Sequence, residues 1–495
     1  MSQHLSQHFH HHEIPEGLSY DDVLLIPQRS AVLPAAARVN TRVTNELLLN
    51  IPLVSSAMDT VTEDRLAIAL AREGGLGVIH RNNSIEEQAQ MVRNVKRSEN
   101  IVIDTPVTTT PDSTLADLLE IMDRRGVSGF PVVEDDGRLV GIITSRDIGY
   151  HDNPAAIKVH EVMTPLERLV TGKPGYSLED ARAILYKHRI EKLPLVDGDG
   201  RLVGMMTGAD IEKSTMYQNA AKDKHGHLLA GGAIGVGPDA LDRATALLEA
   251  GCDALFIDAA TGHTETTLGV LDRIKKHLPD ARVVAGNVVT PEGARDLIAA
   301  GAAAVKVGVG PGSICTTRVI AGVGMPQFTA VQNVAPVCHE AGIPLIADGG
   351  LRYSGDIVKA LAAGANVVMV GSLLAGTDES PGALVRMQGR NYKEYRGMGS
   401  TGAMRKGSGD RYGQNSSGKL VPEGVEARVP YKGALAAVVF QLMGGLRSGM
   451  GYVGAHDLDE LRANAKFTRI TAGGLRESHP HDVFMTEEPV NYSAS

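Results

Sequence analysis
The chain has no tryptophan, only three cysteines, and aromatic residues at just 4% of its 495 positions. Few aromatics leave Val, Ile, Leu and Ala to fill the interior, a composition suited to α/β packing. Cys252, Cys315 and Cys338 have no pair spacing that suggests a disulfide framework or a zinc site, so a reducing, cytoplasmic setting is expected. Positive charge is also short. Against 58 Asp and Glu stand 49 Lys and Arg, and the net charge of −9 argues against a dedicated nucleic-acid surface while leaving room for small anions held by backbone N–H groups. No apolar run reaches membrane-spanning length, so no membrane partner is expected; the longest candidate, Gly433 to Leu446, contains Gln441 and several glycines and reads as a buried helix. The start lacks the charged-then-apolar order of a signal peptide. Residues 1–14, with His10, His11 and His12, read as a disordered or tag-like extension.

What the chain does have is glycine (56 residues), enough hydrophobic content (43%) for one large domain plus smaller ones, and an internal repeat. Val107 to Ile148 recur from Val170 to Ile211: Pro111 matches Pro174, Pro131 matches Pro194, and Gly137-Arg138-Leu139-Val140-Gly141 matches Gly200-Arg201-Leu202-Val203-Gly204. Each copy reads as a strand, a helix (115–125; 178–188), a strand, a glycine turn and a strand running into a helix. Two copies are too few for a solenoid, so they are expected to pair with each other. Outside the repeat, strands at 52–56, 77–80, 254–258, 282–285, 304–307, 345–348 and 366–370 alternate with helical stretches rich in Ala and Leu. That alternation, over about 350 residues, predicts an α/β (β/α)8 TIM barrel, with a doubly wound sheet as runner-up. The expected boundaries are 15–100 and 215–495 for the barrel and 101–214 for the insertion.

Two kinds of segment carry chemistry. Ala347-Asp348-Gly349-Gly350 and Val370-Gly371-Ser372 end two successive strands late in the barrel, where glycine lets backbone N–H groups approach a phosphate. Read alone, these glycines serve equally well as tight turns; Asp348, able to accept from ribose hydroxyls, favours a nucleotide. The run Gly308-Val309-Gly310-Pro311-Gly312-Ser313-Ile314-Cys315-Thr316-Thr317-Arg318 follows a strand and forms a turn-rich loop. It puts Cys315 among polar neighbours as a candidate nucleophile, whereas Cys252, on a predicted strand, and Cys338, in a predicted helix, read as small core residues.

These segments, with Ser55-Ser56-Ala57-Met58-Asp59-Thr60, Ala285-Gly286-Asn287-Val288-Val289-Thr290, Tyr395-Arg396-Gly397-Met398-Gly399-Ser400 and Asp410-Arg411-Tyr412, resemble the IMP dehydrogenase family in order and over nearly the whole chain. The resemblance implies an NAD-dependent oxidation of IMP to XMP, the committed step of guanine nucleotide synthesis. Cys315 would form a covalent thioimidate, and a flap carrying Arg411 and Tyr412 would promote its hydrolysis. By the same resemblance Thr317 assists proton transfer, and Glu423 contacts the purine. Ser313, Asp348, Gly350, Gly371, Ser372 and Tyr395 hold phosphate and ribose; Ser56, Met58, Gly397, Met398 and Gly399 hold the base. Asp258, Asn287 and Gly308 face NAD+. Carbonyls of Gly310, Gly312 and Cys315, with Glu477, Ser478 and His479 from a neighbouring subunit, would bind K+, which implies a homotetramer, with an octamer open.

The repeat resembles the family's tandem CBS (Bateman) module, expected between the second strand and second helix of the barrel. Thr144, Asp147, Thr207 and Asp210 would there contact purine nucleotides of the ATP or GTP type; read without the family, they are helix caps. One departure stands out. Where the family usually places small hydroxyl residues or Ala and then His, Gln or Asn after the cofactor-side aspartate, this chain has Ala259-Ala260-Thr261-Gly262. The rivals are GMP reductase, which shares the cysteine loop but lacks the Arg-Tyr flap, and a nucleotide-sensing scaffold without catalysis.

Overall fold
The computed structural model describes the chain except residues 1–13, 99–101, 104, 150, 152, 177, 209–210, 212–216, 415–418, 488 and 493–495. The His10–His12 stretch and Asp210 thus lie outside the described residues. Two compact units emerge: Met1–Ser98 with Asn219–Asp223 and Leu228–Ser495, and Glu99–Gln218 with Lys224–His227.

In the larger unit, short strands buried on both faces form a parallel sheet that closes on itself, not the open doubly wound alternative. The eight strands are β1 (Leu53–Ser55), β2 (Leu76–Ile79), β3 (Ala230–Ile234), β4 (Ala254–Ile257), β5 (Val283–Val288), β6 (Ala304–Val307), β7 (Leu345–Asp348) and β8 (Val367–Val370). They pair in parallel in chain order, and β8 returns to β1 with Val368 opposite Leu53 and Val370 opposite Ser55. Val54, Leu76, Val78, Phe256, Val284, Ile346 and Met369 pack in one buried cluster that fills the space between strands. The barrel is therefore a packed core, and only its C-terminal strand tips are free for chemistry.

The outer helices are α1 (Asp64–Arg72), α2 (Ile85–Arg97), α3 (Ala240–Glu249), α4 (Glu265–His277), α5 (Pro291–Ala299), α6 (Gln327–Glu340), α7 (Ser354–Ala362) and α8 (Leu435–Val453). Helix α2 begins with a reciprocal Ser84–Glu87 capping box. It also sends Gln88 inward to the carbonyls of Ile79 and Ala233, tying β2 to β3 before the chain leaves the barrel. The insertion consequently follows α2; it does not separate the second strand from its helix, since α2 ends at Arg97 and the smaller unit begins at Glu99. Helix α8 is longer than the apolar run that announced it and is buried on one face only. Val439, Leu442, Leu446 and Met450 point inward, while Phe440 and Tyr452 are 73% and 71% exposed. Among the described residues, no helix is long and apolar enough to cross a membrane.

In the smaller unit the helices run Leu115–Arg125 and Leu178–His188, followed by hairpins Gly129–Val133 with Leu139–Thr144 and Lys192–Val196 with Leu202–Thr207. The two copies pair reciprocally: Leu139 N donates to Gly200 O (3.1 Å), and Leu202 N donates to Gly137 O (3.0 Å). Because Gly137 and Leu139 match Gly200 and Leu202 in the repeat, these bonds are equivalents under a local two-fold.

Candidate functional site
At the strand tips lies a cavity of about 390 Å³, within the range that holds a small-molecule ligand. Its floor is set by glycines that other groups approach closely, so that a side chain would have to push its neighbours aside. Gly371, just beyond β8, has Tyr395 Oη, Met58 Sδ and Ser56 Oγ within 3.0–3.4 Å of where a Cβ would sit. Gly349 and Gly350, beyond β7, hold φ of +88° and +77° and press against Pro311 of the cysteine loop. Ser313 is a hydrogen-bond partner of Tyr395, whose hydroxyl is pushed up to about 12 by burial and stays neutral. Ser372 opens a short turn of helix at the same end and lines the cavity.

The cysteine loop is braided to a later segment. Cys315 bridges Gly424, Thr316 N donates to Glu423 O (2.9 Å), and Val425 N donates to Ile314 O (3.0 Å). Cys315 is only partly buried and faces the cavity, with its Sγ 3.2 Å from Thr317 Oγ1. Cys338 lies inside α6, and Cys252 lies in the turn before β4 rather than in the strand; both are buried, and burial pushes each thiol up to about 12. Gly397 and Met398 also line the cavity, and Gly399 leaves room for Tyr412, whose Oη would be 2.6 Å from a Cβ there.

The charged groups form two networks. In the first, Asp348 Oδ2 accepts from Asn287 Nδ2 (2.9 Å) and Lys306 Nζ (3.1 Å), while Lys306 also meets Asn287 Oδ1. Asn287 Nδ2 also donates to Gly308 O at 2.7 Å, so two of the three expected cofactor-side residues, Asn287 and Gly308, are joined to the ribose-side aspartate. Gln327 Nε2 holds the Val307 and Asp348 carbonyls. In the second, Asp258 is buried and ion-paired to both Arg411 and Arg81. Burial alone would raise its carboxyl, but the two guanidiniums outweigh this and hold it below the ordinary range. Burial likewise opposes the charge on Arg411, yet Asp258 keeps the guanidinium more firmly protonated than usual.

The Ala259-Ala260-Thr261-Gly262 departure has a structural reading. Ala260 lines the cavity, and its N–H donates to Arg411 O (3.2 Å). Gly262 lies so close to Gly286 that a Cβ would approach its carbonyl carbon to 2.5 Å, and His263 turns away to Asp296.

Every expected catalytic, substrate and NAD+-side residue lines this one cavity, together with Gly310 and Gly312. Glu477, Ser478 and His479 do not line it. They lie at the end of the helix Ala472–Ser478 and just beyond, where His479 Nδ1 is 2.9 Å from Tyr492 Oη. In the smaller unit Thr144 donates through both N and Oγ1 to Asp147 Oδ2, each at 2.8 Å, which makes them a helix-capping pair in this conformation. Thr207 ends the matching strand. Lys306, Gln327 and Arg81 went unnoticed in the sequence. A lysine inside the apolar strand Ala304–Val307 was the available signal for the first; the other two offered none.

The fold and site define a class: a (β/α)8 barrel with a strand-tip cavity that gathers a loop cysteine, the aspartates Asp258 and Asp348, and glycine turns. Within that class, the family model described as IMP dehydrogenase / GMP reductase domain matches residues 17–481, and the chain belongs to this family. It is 56% identical to an inosine-5'-monophosphate dehydrogenase of Aquifex aeolicus, over 97% of this chain and 98% of that one. It is 55% identical to one from Halalkalibacterium halodurans, with the same coverage. Among solved structures, a cysteine-to-alanine variant of GMP reductase from Trypanosoma brucei, in complex with guanosine 5'-monophosphate, is 42% identical, with a TM-score of 0.88 over 95% of this chain and 99% of that one.

Proposed function
We propose that the protein is an NAD-dependent IMP dehydrogenase acting through Cys315. The Cys315 thiolate adds to the purine carbon between the two ring nitrogens of IMP. Bound NAD+ supplies the acceptor for the hydride that leaves this carbon. A thioimidate on Cys315 remains; water adds to its carbon, the C–S bond breaks, and the sum is IMP + NAD+ + H2O giving XMP + NADH + H+. Thr317, 3.2 Å from the sulfur, is placed to move a proton. Asp348, with Gly350, Gly371 and Ser372 at the phosphate end, orients the nucleotide.

Asp258 fits the cofactor role as a buried, ionised carboxylate able to accept from ribose hydroxyls. It is the partner of Arg411 here, so the cofactor and the arginine segment would use one place in turn. The carbonyls of Gly310, Gly312 and Cys315 form an oxygen-only donor set suited to K+, completed by Glu477, Ser478 and His479 of a second subunit in a tetramer. The smaller unit is read as a CBS pair sensing adenine or guanine nucleotides. Three free cysteines accord with a cytoplasmic location.

The observation that carries the reading is the meeting of Cys315, Thr317, Arg411 and Tyr412 on one cavity. A GMP reductase is the second reading, favoured by the Trypanosoma brucei likeness; the higher identity of the dehydrogenase relatives and the Asp410-Arg411-Tyr412 segment weigh against it. Following absorbance of the reduced cofactor decides between them. NADH should appear with IMP and NAD+; consumption of NADPH with GMP, and none of the first reaction, would reverse the assignment.

A further inference from the structure
We infer that Arg81 is the positioning residue that seats the Arg411 segment on the barrel, by gripping Asp410; this rests on the dehydrogenase reading above. Arg81 lies just beyond β2 and does not line the cavity, so it acts through other residues. Its side chain is 8% exposed. The guanidinium fork meets both oxygens of Asp410, Nη1 to Oδ2 at 3.0 Å and Nη2 to Oδ1 at 2.9 Å. Its third nitrogen, Nε, donates to Asp258 Oδ2 at 3.3 Å. Asp258 Oδ1 takes Arg411, so Asp410, Arg81, Asp258 and Arg411 form one alternating, charge-balanced chain from the segment to the barrel and back.

Only arginine can span two carboxylates in this way, because a lysine ammonium is a point donor without the planar fork. The barrel is shaped around the pair. A Cβ on Gly235, just past β3, would come 3.0 Å from Arg81 Nη1 and 3.1 Å from Asp410 Oδ2. Burial works against the charge on Arg81, and the two aspartates overcome it. Asp258 is the carboxylate that NAD+ would claim, whereas Asp410 is not in the cavity lining. The Arg81–Asp410 pair therefore sets where Arg411 sits after the cofactor leaves, and it has no part in hydride loss.

The test uses full-length Asp410→Asn, Arg81→Lys and the double variant, with IMP and NAD+. Three quantities are read: the first-turnover NADH burst, steady-state turnover, and the fraction of Cys315 carrying a purine adduct by intact-protein mass. In Asp410→Asn, which leaves the Arg81–Asp258 bond in place, the burst should stay within about twofold of wild type while turnover falls roughly tenfold and the adduct fraction rises. The double variant should be no slower than Arg81→Lys, since that substitution removes the Asp410 contact together with the Asp258 bond and leaves Asp410→Asn nothing further to break. Asp410→Asn, at a half-exposed site, tests the pair even where Arg81→Lys folds poorly. Burst and turnover falling together, unchanged turnover, or additive losses would each overturn the role. Wild-type protein that makes no NADH would instead remove the dehydrogenase reading, and this inference with it.

Discussion
Cys315 and Thr317 sit two residues apart, one at the end of a glycine turn and the other at the start of a single helical turn, so the loop itself sets their 3.2 Å separation. In the proposed mechanism the sulfur is the nucleophile, so Cys315→Ala should lower turnover by about a thousandfold or more with the protein still folded, read as NADH formation. Lys306 acts differently. Its ammonium is buried against Asp348 and Asn287, and Lys306→Met should raise KM for IMP by roughly tenfold with a smaller change in kcat, since it loosens an orienting carboxylate. Arg411, as seated, is a cation held by Asp258. For the hydrolytic role proposed above, it would first exchange that carboxylate for another environment. The buried pairs also give a pH dependence. Asp59, where burial is outweighed by the hydrogen bonds from Arg396 and Asn82, and Asp258 are both held below the ordinary carboxylate value of about 4. A carboxyl lower in the folded than in the unfolded chain stabilises fully above the unfolded value. That contribution is lost as pH falls through the folded one. Melting temperature should therefore drop below about pH 4, and Asp59→Asn should flatten the drop.

At the scale of the elements, the strands and helices were legible because each announces itself locally. Apolar runs of four or five residues alternate with Ala- and Leu-rich periodic stretches, and the repeat helices fall at 115–125 and 178–188 as read. What could not be read is whatever depends on a distant partner. Lys306 is 42 residues from Asp348, and Arg81 is 329 from Asp410, so neither pair leaves a pattern in any window of sequence. The same holds for α8, where the apolar run shows a helix but not that one face lacks a partner within the described chain. Where packing is known, its cost can be stated. Phe256, 1% exposed inside the barrel, should cost about 3–5 kcal/mol as Phe256→Ala, measured by chemical denaturation.

For the whole molecule, the insertion leaves after α2 and the chain resumes at Asn219, so the barrel's eight strands are all contributed by the larger unit. The smaller unit has its own two cores, one around Phe130 and Ile143 and one around Leu193 and Met206. The cavity residues all belong to the larger unit, so the proposed chemistry draws its side chains from the barrel unit. The most direct measurement is the mass of the intact protein sampled during turnover with IMP and NAD+. A purine nucleotide should be attached at Cys315 and absent from Cys315→Ala. NADH production without any adduct, or an adduct that survives the substitution, would contradict the covalent account.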